Sequence, residues 1–338
     1  MSEPPQANTS TVTVHGTARG RQGPNLDHRV LIATSWGLLA LTLVATQAPR
    51  FWWADLAPHF RVHYLVLGAS MLLLAALVRN RHAIVLAAVV VAWNASQVWA
   101  PSGSFRSVDP LTAAPGASEF RVVAANVFFA NKDYPRMRDW VRAEQADLAV
   151  FVEVTPDWQA QLAQLDEYSE SYYDTRQGTR GTLILSKWPM APARALDSRT
   201  DRAATTRMTV QLPGAALQLI GVHASWPITA RRWQDRNREF AALAKATSRS
   251  DGAWILIGDF NSTLFSPHLA AMLERGRLHS AAGRGWHPTW PSWLGVAGIP
   301  IDHAFVSERV FVQQLRVGPR LGSDHRPIVL DALVFPEG

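Results

Sequence analysis

Ala253-Trp254-Ile255-Leu256-Ile257-Gly258-Asp259-Phe260-Asn261 opens on five apolar residues and closes on a carboxylate and a carboxamide. An unbroken apolar run of that length reads as a buried strand, and Gly258 lets the backbone turn as the strand emerges. While the chain stays extended, Asp259 and Asn261 point to the same side. Asp and Asn after a strand are also ordinary turn residues. What the pair does therefore depends on its company.

Outward from this stretch the pattern recurs. Apolar strands are predicted at 120–127, carrying Asn126, at 148–153, closing on Glu153, and at 217–223, closing on His223. A strand over 301–306 carries Asp302 at its second position, and Asp324 and His325 precede a last strand over 328–334. Further strands are expected at 182–186 and 205–212, with helices at 134–144, 230–247 and 267–274. The helix over 230–247 turns Trp233, Phe240, Leu243 and Ala244 inward, and Arg231, Arg236 and Arg238 read as a solvated face. A glutamate closing a buried strand needs a counter-charge, hydrogen bonds or a metal. The strand ends together offer oxygen donors and two histidines, and the chain has no cysteine. Hard oxygen donors select Mg²⁺ or Mn²⁺ over zinc.

The order Ala125-Asn126-Val127, Val152-Glu153-Val154, Gly221-Val222-His223, Gly258-Asp259-Phe260-Asn261, Ile301-Asp302-His303 and Ser323-Asp324-His325 resembles the endonuclease/exonuclease/phosphatase superfamily over about residues 119–335. The resemblance implies an α/β fold, a four-layer sandwich of two central mixed sheets flanked by helices, and hydrolysis of phosphate esters. It makes Glu153 the main Mg²⁺ ligand, helped by Asn126 and Asp324. His325, oriented by Asp302, is implied as general base or as the group stabilising the pentacovalent phosphorus. Asp259 would position or deprotonate the attacking water, and Asn261 would hold a phosphate oxygen. His223 would bind a non-bridging oxygen or protonate the leaving group, and Arg202 is a weaker phosphate contact with a surface role as its rival. Many repair nucleases of the superfamily carry an acid two residues after the first asparagine, where this chain has Phe128.

The first hundred residues have another character. Residues 1–29 are hydrophilic and read as a disordered cytoplasmic tail. Uncharged runs at 30–47, 62–78 and 83–100 predict three transmembrane helices, the first spanning about 27 Å as a helix, near the thickness of a bilayer core. Residues 101–118 are a linker rich in Pro, Ser and Gly, and 119–338 form the catalytic domain. Arg79, Arg81 and His82 crowd the second connection, whereas Asp55 offsets Arg50 and Arg61 in the first. The positive-inside rule then puts the domain on the extracytoplasmic side of the cell membrane.

Of 33 basic residues only three are lysines. Forked guanidinium groups suit phosphate oxygens or an anionic membrane, although GC-rich codon usage yields arginine as well. The anchor joined to such a domain is similar to the membrane-bound teicoplanin-resistance proteins of the VanJ type. That likeness implies the lipid bilayer as partner and a phosphorylated, lipid-linked substrate such as a polyprenyl pyrophosphate. Trp286, Trp290 and Trp293 would either settle among lipid headgroups or pack their own loop. A nuclease is not favoured, because no dense basic run is visible. A sphingomyelinase-like phosphodiesterase would use the same site, an inactive membrane scaffold would not use it at all, and the sequence points to no protein partner.

Overall fold

The structure, a computed structural model, describes residues 28–99, 116–175, 181–192, 204–249, 251–283 and 285–335. Helices α1 (His28–Ala45), α2 (Arg61–Leu77) and α3 (Arg81–Val98) lie within two residues of the expected spans, and α1, α3 and the continuous stretch Ala57–Leu77 that contains α2 are long and apolar enough to cross a membrane. A 3-10 turn at Ala57–Phe60 leads into α2. Arg79 reverses the chain at φ 53°, and Asn80 caps α3 by accepting the Ala83 N–H at 3.1 Å. Asn94, the polar residue within the third run, is buried and donates to Thr42 Oγ1 of α1 at 3.0 Å, so it joins two helices. The outward faces are apolar, with Leu73, Leu77 and Val85 each more than half exposed. That is the reverse of a water-soluble bundle.

The remainder is a sandwich built from β1 (Ser118–Asn126), α4 (Tyr134–Glu144), β2 (Leu148–Val154), α5 (Pro156–Leu162), β3 (Glu170–Asp174), β4 (Gly181–Ser186), β5 (Met190–Pro192), β6 (Ala204–Leu212), β7 (Ala215–His223), α6 (Ala230–Thr247), β8 (Ala253–Asp259), α7 (Pro267–Gly276), β9 (His279–Ser280), β10 (Asp302–Val306), β11 (Val310–Val317) and β12 (Ile328–Val334). One sheet runs β11-β12-β1-β2-β4-β3, the other β5-β6-β7-β8-β10-β9. Each is mixed, with parallel pairs β1/β2 and β7/β8 at its centre. Val122, Val150, Leu219, Ile255 and Leu330 fill the space between the sheets. Met137, Trp140 and Trp158 of α4 and α5 cover the outer face of the first sheet, while Phe240, Leu243 and Met272 of α6 and α7 cover that of the second. Four layers result, as expected. The central strands are covered on both faces, so they read as unbroken apolar runs rather than alternating ones.

Arg236 departs from expectation. It is fully buried, and its Nη2 lies 2.7 Å from Oδ2 of Asp55, a residue of the α1–α2 connection that is itself fully buried. Asp55 therefore neutralises Arg236 of the sandwich rather than offsetting Arg50 and Arg61 in the first connection, the role expected of it from the sequence. Beside this pair, His59 Nδ1 lies 3.0 Å from Thr263 Oγ1 and accepts the Thr263 N–H at 3.2 Å. His63 reaches the Ala297 carbonyl at 2.7 Å. The α1–α2 connection is thus docked directly onto the segment that follows β8.

Candidate active site

The two parallel pairs end at the same edge of the sandwich. In the second sheet His223 is the register partner of Asp259, and Asp259 of Asp302 on β10. In the first, Asn126 pairs with Val152, one residue before Glu153. A β-bulge interrupts β2 against β4 between Phe151 and Val154, and Glu153 takes φ 60°. Such a bulge re-aims a side chain, here turning Glu153 towards the site. Gly258, at φ 135°, would place a Cβ 2.2 Å from the Val222 carbonyl, so no side chain fits where β8 passes β7.

Asn126 is the hub. Its Nδ2 donates to Glu153 Oε1 and to Asp259 Oδ2, both at 3.2 Å, and its Oδ1 accepts the Phe128 N–H at 3.0 Å. Glu153 also accepts the Phe129 N–H at 3.3 Å and lies 3.6 Å from His223 Nε2. Asp259 and Asp302, opposite each other on antiparallel strands, are a like-charge pair that would repel. His325 relieves them: its Nδ1 is 2.8 Å from Asp302 Oδ2 and its Nε2 3.7 Å from Asp259 Oδ2. Burial alone would push His325 down, but Asp302 and Asp259 outweigh it and raise its pKa to about 10. Burial raises Asp259 to about 7 in spite of His325.

Asp259 and Asn261 do not stay extended. Asn261 adopts φ 47° and its N–H donates to Asp259 Oδ1 at 2.8 Å, an Asx turn. Its Nδ2 donates to the Ala224 carbonyl at 2.9 Å and lies 3.4 Å from Asp259 Oδ2. The turn and the site are one feature, and Asn261 clamps Asp259. Asp324 accepts from Trp290 Nε1 at 3.2 Å, and Ser323 Oγ donates to the Asn126 carbonyl at 2.7 Å while accepting the His325 N–H at 3.0 Å. Arg202 lies outside the described residues.

Two residues carry no motif and still shape the site, Glu239 and Trp290. Glu239, on α6, accepts the Ser225 N–H and Oγ at 3.0 and 2.9 Å and so holds the turn that follows His223. In the sequence only its position one residue before Phe240 hints at it, since its burial appears in the folded helix alone.

Residues 123–325, more than half of the chain, match the model of the Endonuclease/Exonuclease/phosphatase family. The chain belongs to this family. Solved structures agree on the fold. An endonuclease/exonuclease/phosphatase from Beutenbergia cavernae is 21% identical, with a TM-score of 0.54 over 64% of this chain and 72% of its own. TDP2 of D. rerio, complexed with a single-strand DNA product, is 14% identical, with a TM-score of 0.53 over 64% and 99%. A mannosyl-6-phosphatase of Bacteroides thetaiotaomicron is 16% identical, with a TM-score of 0.51 over 64% and 100%. No curated protein matches the chain.

Members of this family generally depend on a divalent metal, and the donor set here fits one. Glu153, Asp259, Asp302 and Asp324 gather with two histidines, and no Lys or Arg among the described residues pairs with any of them. Donor atoms of Asp259, Asp302 and His325 lie within 4.8 Å of one another. His325 and Asp302 are spent on each other, which leaves Asp259 of the three, and beyond them Glu153, held among the described residues by neutral donors and His223, as carboxylates that could meet a cation.

Proposed function

We propose that this family member is a membrane-anchored, extracytoplasmic, Mg²⁺-dependent phosphoesterase that hydrolyses a phosphate ester or pyrophosphate bond in a lipid-linked substrate. The observation that carries the lipid assignment is the loop over 285–300. Trp290 and Ser292 of this loop hold Asp324 and Ser323 at the site, whereas its tip exposes Trp293, Leu294 and Val296 beside His63 of α2. Trp286 packs against His63 and donates to Val296, so of the three tryptophans only Trp293 is free for a headgroup layer. One loop thus links the site to the level where the apolar helices end.

In this reading Glu153, with Asn126 and Asp324 as further candidates, would hold a divalent cation, which when bound would supply charge to offset that developing at phosphorus. Asp259 positions the attacking water and takes its proton, and Asn126 and Asn261 fix the carboxylate for that task. His325, held by Asp302, stays protonated and donates to a phosphoryl oxygen. His223, at the opposite side of Glu153, protonates the leaving oxygen. Water supplies the new P–O bond as the bridging bond breaks.

The test is hydrolysis by the full chain of polyprenyl pyrophosphate, phospholipid vesicles and DNA, read as free phosphate, released headgroup or diacylglycerol, and shortened DNA respectively, with Mg²⁺ and with EDTA. The lipid pyrophosphate should be preferred, EDTA should abolish turnover, and Glu153→Gln and His325→Ala should each lower it by about 10²–10⁴-fold with the far-UV spectrum unchanged. Preference for DNA, or near-normal turnover in either variant, overturns the reading.

A further inference from the structure

A cavity of about 420 Å³ separates the apolar helices from the start of α7, lined among others by Thr46, Arg61, Trp93, Phe265, Ser266 and Pro267. Arg61 is 6% exposed, and its Nη1 is buried without a hydrogen-bond partner. Asp55, the one acid of the adjoining connection, is committed to Arg236. Arg61 is also the first residue of α2, where its charge adds to the positive end of its own helix dipole. An arginine that merely reaches from a helix end to the headgroups finishes in water. This one is turned inward.

The opposite wall supplies a second positive element. Ser266 and Pro267 are the cap and first residue of the ten-residue helix α7, so the amino end of that helix lies at the cavity. The dipole makes such an end receptive to anions, although Pro267 has no N–H and Ser266 Oγ already accepts that of Leu269, so the field of the helix rather than a ring of donors supports Arg61 here. No acidic residue lines the cavity, while Ala45, Trp93, Leu264 and Phe265 give it an apolar side. A buried guanidinium and a helix amino end facing one space, without a carboxylate, lack an anion.

We infer that this cavity binds the phosphate of an anionic membrane phospholipid, the phosphate set between Arg61 and the first turn of α7 and an acyl chain lying along Trp93 and the apolar face of α1 and α3. The site is separate from the Asn126–His325 cluster and does not depend on its chemistry; it rests on the anchoring of the helices in a bilayer. It would make the lipid a wedge between anchor and sandwich.

The full chain, delipidated in a neutral detergent, should melt several degrees higher with phosphatidylglycerol and be unmoved by diacylglycerol, which has the tails without the phosphate. Arg61→Gln should lose the shift. Ala270→Trp, an exposed position at the cavity rim, should lose it too and decides the matter if Arg61→Gln does not fold. Inorganic phosphate giving the full shift would mean a free-anion site and overturn the lipid assignment. An equal shift with diacylglycerol, or in the variants, overturns the site. Resistance of the chain to carbonate extraction from membranes tests the anchoring by itself.

Discussion

His303 follows Asp302 on β10 but faces the other way, stacked on Phe305 and hydrogen-bonded through Nε2 to the Ser262 carbonyl at 2.9 Å. Burial lowers its pKa to about 4, against 6.5 for the free side chain, so the folded protein keeps it neutral. Between those values the unfolded chain holds a proton that the folded chain lacks. The stability is therefore complete above about pH 6.5 and is lost as pH falls towards 4, by about 3 kcal/mol for this one group. Because Asp259 pushes the other way over the same range, the His303 share is read as the change in pH dependence between the parent chain and His303→Asn, by denaturant unfolding of both at pH 7 and pH 5; an identical pH dependence in the two would refute the assignment. The strained positions nearby have a shared purpose. Phe128, Glu153 and Asn261 all take positive φ at the site, a conformation that costs side-chain-bearing residues about 1 kcal/mol or more and persists where the surroundings over-determine it.

At the level of elements, the α1–α2 connection and α6 meet through Asp55 and Arg236, and Arg236 Nη1 also donates to Ser262 Oγ at 3.0 Å, just past Asn261. The pair lies off the ideal N–H axis, since neither Asp55 oxygen makes a regular hydrogen bond. Removing one partner should cost about 3–5 kcal/mol, whereas Asp55→Leu with Arg236→Met should recover most of it. Thermal unfolding of the two single variants and the double variant checks this; a double variant as unstable as the worse single one would show that the charges themselves are needed. The contact is hidden in the sequence because apolar residues alone mark the buried stripe of a helix. Arg236 stands four residues before Phe240 and seven before Leu243, on the same stripe, and the arrival of Asp55 supplies the counter-charge that makes that burial tolerable, with Asn237 and Ser262 accepting its other N–H groups. By contrast the ends of β1, β2, β7 and β8 are legible, since a doubly covered strand leaves a long apolar run and a single polar residue where it stops. Edge elements leave weaker traces: β3, β5, β9 and β11 do not emerge from the apolar pattern, and β11 is half-buried, with a bulge at Val312 and Gln314 that breaks its alternation.

For the molecule as a whole, the α1–α2 connection and the end of α3 lie on the side of the sandwich, and the Arg79–Arg81 turn lies at the far end of the helices. Phe51, Trp52, Trp53 and Trp99 are exposed on the sandwich side, where an interfacial aromatic belt belongs. A reporter enzyme that works only outside the cytoplasm, fused after residue 338, should be active, and one fused in the 79–81 turn silent; the opposite pattern would invert the proposed topology. Family membership is readable from six short motifs, but how the sandwich is seated is not, because the contacts that seat it join residues some two hundred positions apart, such as His59 and Thr263. A domain on a loose leash samples every height above a surface. Here the buried Asp55–Arg236 pair, with His59 and His63 beside it, makes the tether a rigid mount. In the anchored state proposed above, such a mount would act as a depth gauge: only phosphates presented at one height above the bilayer would reach the site, and headgroup length would become a criterion of choice beside headgroup chemistry.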